Sequence, residues 1–145
     1  MKVKRHSINL EKLLWKYGES KSGGRYMQEI LERIIVDFVK NSGVIAASIM
    51  DADGLLIVSH APNISEDEQE ASAGLMSQLL ITAREVSSAA GFGEVQNLMT
   101  EAEKGKLFVM NASDVYFGFF TEPNVSLGYI RVQAKRTVDK IKSSI

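Results

Sequence analysis

Cysteine is absent from the 145 residues, which excludes a disulfide framework, a zinc ribbon and any thiol nucleophile. Histidine is nearly absent: the chain has two, His6 in an N-terminal tail and His60 in an expected loop, a poor basis for a metal site. Excess positive charge is missing too, with 17 Lys and Arg against 18 Asp and Glu and a net charge of −1. A nucleic-acid backbone binder needs a basic footprint, so no nucleic acid is expected as partner. No apolar run approaches the roughly 20 residues of a membrane-spanning helix. The start, MKVKRHSINLEK, carries charges but no apolar stretch of signal-peptide type. The expectation is a cytoplasmic protein without metal or cofactor. At 45% hydrophobic and 24% charged residues, the chain has the composition and length of one soluble domain with one core.

Residues 1–24 stand apart as an N-terminal extension. Leu10, Leu13, Leu14 and Tyr17 recur at helical spacing, and GESKSGG reads as a flexible break. A helix this short is unstable alone in water. It must therefore find a surface or remain disordered; the surfaces open to it are its own dimer, a partner's groove and, less favoured, a membrane approached through Lys2, Lys4 and Arg5. The main domain, residues 25–145, opens with an amphipathic helix from Tyr26 to Lys40, whose Met27, Ile30, Leu31, Ile34, Ile35 and Phe38 share one face. Two short apolar strands follow, Val44 to Met50 and Leu55 to Ser59. SEDE at Ser65 to Glu68 is a capping box with an acidic first turn, and it opens a long helix that runs to about Ala90. Three strands are expected at Glu94 to Thr100, Leu107 to Met110 and Val115 to Thr121. A last helix, capped near Asn124 or Ser126, buries Leu127, Ile130, Ala134, Val138 and Ile141. LFVM and VYFGFF are apolar on both faces, as a sheet covered on both sides requires.

SIMDADGLLIVS, Ser48 to Ser59, has a functional and a structural reading. Asp51 and Asp53 after a buried strand are placed as in haloacid-dehalogenase-like phosphatases, where one carboxylate attacks phosphorus and the second acts as general acid beside a magnesium ion. That chemistry also needs a later acidic pair and a lysine at other strand ends. The strand ends here offer Asn111, Ser113 and Asp114, then Glu122. A calcium loop would place Leu55 and Pro62 at ligand positions. The structural reading is a two-residue hairpin turn, Asp53-Gly54 of type I′, with Asp51 bonding the turn amides. The structural reading is preferred, and the phosphatase stays as the alternative.

ASAGLMSQLLITAREVSSAA, Ala71 to Ala90, is the most informative stretch. On a wheel its apolar residues fill an arc of roughly 200°, where packing on one sheet face needs little more than about 100°. Either the helix is sunk deep in a monomer core, or one flank covers the sheet and the other meets a second copy. The second option is preferred. EVQNLMT, the most polar strand, is the best candidate for a sheet edge, and pairing with the same strand of a second chain would close it. The expected dimer interface is Leu75, Met76, Leu79, Leu80, Ala83, Val95, Asn97 and Met99.

GVIAASIMDADGLLIVS, the apolar long helix, the Glu-x-x-x-Gly-x-Leu turn at Glu101 to Leu107 and PNVSLGYIR together resemble the Roadblock/dynein light chain domain, over about Tyr26 to Ile141. The resemblance implies an α+β sandwich: a five-stranded antiparallel sheet, one long helix on one face and two terminal helices on the other, profilin- or longin-like. It implies dimers formed through the long helix and the strand after it. It also implies non-catalytic modules that bind or regulate Ras-like small GTPases, assemble signalling scaffolds or join dynein motors. The long loop HAPNISEDEQ and the N-terminal extension depart from the family pattern. A GTPase would meet the paired long helices, at Ser77, Gln78, Ile81, Arg84 and Glu85; Arg84 reads as a solvated helix charge without a catalytic role. A purely structural scaffold with no GTPase partner is the second alternative.

Overall fold

Met27, Leu31, Ile35 and Phe38 recur at helical spacing and are each 2% exposed or less, forming the buried side of helix α1 (Lys21–Val39). A computed structural model describes residues 3–5 and 21–145; the expected helix around Leu10 to Tyr17 lies outside the described residues. Helix α1 begins five residues before Tyr26 and takes in Ser22, Gly23 and Gly24, the end of the expected flexible break. Once the apolar face holds a helix, each added residue gains a hydrogen bond, which offsets the roughly 1 kcal/mol cost of a helical glycine.

The chain then runs β2 (Val44–Asp51), β3 (Leu56–His60), α2 (Glu66–Ala89), β4 (Asn97–Ala102), β5 (Gly105–Ala112), β6 (Val115–Thr121) and α3 (Leu127–Ser144). These are the five expected strands, all antiparallel, with three helices. A short strand, β1 (Val3–Arg5), joins them by pairing Val3 with His60 and Arg5 with Val58. Three residues in a charged run are too few to display a strand period. The sheet order is β1-β3-β2-β6-β5-β4, which puts β4 at one edge as expected.

Alternation along the strands divides the core in two. Phe108, Phe117 and Phe119 face α1 and α3, with Phe38 edge-on to Phe117 at 4.9 Å between ring centroids and Phe108 stacked on Phe119 at 4.6 Å. Leu107, Val109 and Tyr116 face the other way and meet Met76 and Leu80 of α2. The Ser65 hydroxyl caps α2 by accepting from the Glu68 amide at 3.2 Å. On α3 the buried stripe is Ile130, Ala134, Thr137, Val138 and Ile141.

Two expectations need correction. His60 is not in a loop: it ends β3, is fully buried, and pairs with Ala47. The Asp-Ala-Asp-Gly hairpin is not a two-residue type I′ turn, since Asp53 keeps a negative φ and Gly54 alone is left-handed, at φ 82°. The loop has three residues, Ala52, Asp53 and Gly54. The Gly54 amide donates to the Asp51 carbonyl at 3.1 Å and the Asp51 amide to Leu55 at 3.0 Å. The preference for a turn stands: Asp51 Oδ1 accepts from the amides of Asp53 (2.9 Å) and Leu55 (3.0 Å). Its carboxylate replaces backbone partners that a tighter loop would have supplied.

Gly54 also lets the hairpin approach α2. A Cβ there would lie 2.3 Å from Ser77 Cβ, in addition to the cost of a left-handed alanine. Gly54→Ala is expected to lower stability by about 2–4 kcal/mol, from backbone strain and an overpacked contact together. Urea unfolding measures this as a lower midpoint at unchanged slope.

Candidate self-association and docking surface

Helix α2 carries apolar residues on two flanks with different fates. Ala73, Met76 and Leu80 point into the sheet and are at most 4% exposed. Ser77, 6% exposed, sits against the Gly54 turn. Leu75, Leu79 and Val86 point away and are 61%, 43% and 64% exposed. With Thr82 between them they stand at positions 75, 79, 82 and 86, the alternating four-three spacing of a helix–helix seam. Covering each of these side chains would gain about 1–2 kcal/mol.

Strand β4 borders the same region. Among the described residues it pairs with β5 alone, from Asn97 opposite Met110 to Ala102 opposite Gly105. Among the described residues its outer edge therefore has no backbone partner, and such an edge is a template for another strand. Val95 and Leu98 pack partly on the Met76–Leu80 cluster, so the edge and the helix share one apolar floor. Met99 faces the opposite side, where an Arg131 guanidinium nitrogen lies 3.8 Å from its sulfur.

The expected interface residues thus separate. Leu75, Leu79 and Asn97 are open to solvent, while Ala83, Val95 and Met99 are half-buried. Met76 and Leu80 belong to the core of the single copy. Of the expected docking residues, Gln78, Ile81 and Glu85 are exposed on the flank away from the seam, and Ser77 faces inward. Arg84 is not a solvated charge: it is half-buried, its guanidinium carbon lies 4.9 Å from the Tyr116 ring centroid, and it donates to the Tyr116 hydroxyl. The sequence reading missed Phe92, which is 83% exposed just beyond α2. Its only signal in the sequence is a lone aromatic between two glycines, Gly91 and Gly93.

Chemically, this surface is apolar on one flank and polar on the other, beside a strand edge left open among the described residues. Among the described residues no three His, Cys, Asp or Glu side chains are grouped to hold a metal ion, and no helix is long and apolar enough to cross a membrane.

Comparison with known proteins agrees with this architecture. The profile of the Roadblock/LC7 domain matches residues 30–119. Protein MJ0310 of Methanocaldococcus jannaschii, itself uncharacterised, is 30% identical over 115 residues, which span 79% of this chain and 98% of that protein. Among solved structures, the Roadblock/LC7 domain from Streptomyces avermitilis superposes with a TM-score of 0.72 at 18% identity, covering 77% of this chain and 94% of that one. The gliding protein MglB from Thermus thermophilus superposes with a TM-score of 0.73 at 15% identity, covering 81% and 90%. At such identities the two structures speak for the fold, while the profile match extends over most of the chain. The chain belongs to the Roadblock/LC7 domain family.

Proposed function

We propose that this chain is a non-enzymatic regulatory or scaffold module that works in the cytoplasm as a homodimer and docks a Ras-like small GTPase or its signalling or motility complex. The observation that carries the reading is the apolar seam of α2 lying beside the open edge of β4. A two-fold axis through both satisfies both at once. Strand β4 meets its copy and the sheet continues across the axis, while seam meets seam above it. Pairing the seams leaves Gln78, Ile81 and Glu85 outward on each copy, with Arg84 held behind them, so the dimer offers two such flanks on one platform. That small GTPases are the partners follows from the family resemblance. The fold likeness to a gliding protein is consistent with it.

The test is calorimetric titration of the dimer with a Ras-like small GTPase from the same genome, loaded with GDP or with a GTP analogue. Binding is expected in at least one nucleotide state, weakened about tenfold or more by Ile81→Asp, as for truncation of an interface anchor. Asp51→Asn with Asp53→Asn, which keeps the turn acceptors, should bind as the native chain does. Absence of binding in both states would leave a structural scaffold, and a phosphatase activity lost in the Asn variant would overturn the non-enzymatic reading.

A further inference from the structure

Phe92 is the most exposed large apolar side chain among the described residues, at 83%, yet its backbone is tightly held. Helix α2 ends in a Schellman arrangement. Gly91, at φ 74°, donates to the Ser88 carbonyl at 3.0 Å, and Phe92 donates to the Ser87 carbonyl at 2.9 Å. The Ser87 hydroxyl then donates to the Gly93 carbonyl at 2.7 Å, where Gly93 is left-handed at φ 82°. In such an ending the residue after the glycine usually folds back on an apolar neighbour one turn earlier. Here those neighbours are Ser87 and the exposed Val86, and the ring stands in water. A pinned loop that projects an uncovered phenylalanine has the form of an interface anchor, because little conformational freedom remains to be lost on binding.

The seam indicates where the anchor goes. Antiparallel pairing of two α2 helices about the centre of their seams sets Leu75 opposite Val86 and Leu79 opposite Thr82 of the second copy. Continuing that pairing past Ala89 brings position 92 level with Gln69, one turn from Ser72. At that place each copy has a shallow cleft between α2 and the sheet, lined mainly by apolar atoms and with a cavity volume of only about 20 Å³ behind its open mouth. Ile64, Gln69, Ser72 and Phe120 line it and are half-buried, while Met76 and Ala46 lie deeper. The polar groups of Gln69 are already engaged: Nε2 donates to the Ile64 carbonyl at 2.9 Å, and Oε1 accepts from the Ser59 hydroxyl. The mouth therefore asks for an apolar group.

We propose that Phe92 of each protomer seats on the mouth of this cleft in the second copy, beside Ser72, so that each cleft is completed by its partner. This rests on the dimer reading above. The absence of native cysteine makes the test clean. Phe92→Cys combined with Ser72→Cys is expected to run as a disulfide-linked dimer after mild oxidation, since a bridge requires Cα atoms within about 7 Å. Either single variant should stay unlinked. Phe92→Ala should raise the dimer dissociation constant ten- to a hundredfold without loss of folding, and Phe92→Leu should restore it to within a few-fold. A native dimer that Phe92→Ala leaves unchanged, or a Phe92→Cys variant that links to itself, would overturn the proposal while sparing the dimer. A native monomer would instead remove the dimer reading on which it stands.

Discussion

Leu79→Glu is expected to turn the proposed dimer into a folded monomer. In a single copy Leu79 is 43% exposed, so a glutamate there meets water and the helix keeps its hydrogen bonds. In the proposed dimer the same residue would lie near the centre of the seam, and a two-fold axis would count every change twice. Two leucines lose the burial gained on pairing, about 1–2 kcal/mol each, and two carboxylates must in addition be desolvated near one another. A loss of about 4 kcal/mol or more corresponds to a dissociation constant raised a thousandfold or more. Sedimentation should record the lower mass, and circular dichroism an unchanged fold.

Leu80→Glu, one residue further, is expected to unfold the chain. Leu80 is 2% exposed and packs with Met50, Met76, Val109 and Tyr116 between α2 and the sheet. Truncation to alanine alone would cost about 2–5 kcal/mol, and a buried, unpaired carboxylate adds several more. That total reaches the whole stability of an ordinary domain, about 5–15 kcal/mol. Loss of the cooperative thermal transition is the expected readout, at any protein concentration. Neighbouring leucines with opposite phenotypes would separate association from folding, which a single charge substitution in this helix cannot do.

That contrast also marks how far the sequence could be read. The wheel shows that the apolar arc of α2 is too wide for one sheet face, and the structure agrees. A wheel gives angles about the helix axis, however, and not the direction of the sheet. Leu79 and Leu80 stand about 100° apart inside one continuous arc, and only the strands beneath decide which is core. Local chemistry was legible: the Ser65 cap, strand β6 from Val115 to Thr121, the edge position of β4 and the role of Asp51 in its turn. Features made by distant partners were not. Arg84 and Tyr116 are 32 residues apart, and nothing near either one signals that they meet. His60 looked like a loop residue because a polar side chain beside Ser59 ends the apolar run, whereas its strand continues through it. The loop length of the hairpin also escaped, since Asp-Gly suits both a two-residue turn and the left-handed end of a three-residue one.

The most direct test of the central claim is the solution mass of the unaltered chain by light scattering at micromolar concentration. Pairing through α2 and β4 predicts twice the chain mass of 16.0 kDa. A folded species at 16.0 kDa that stays monomeric as concentration rises would contradict it, and the exposed seam would then belong to a different protein.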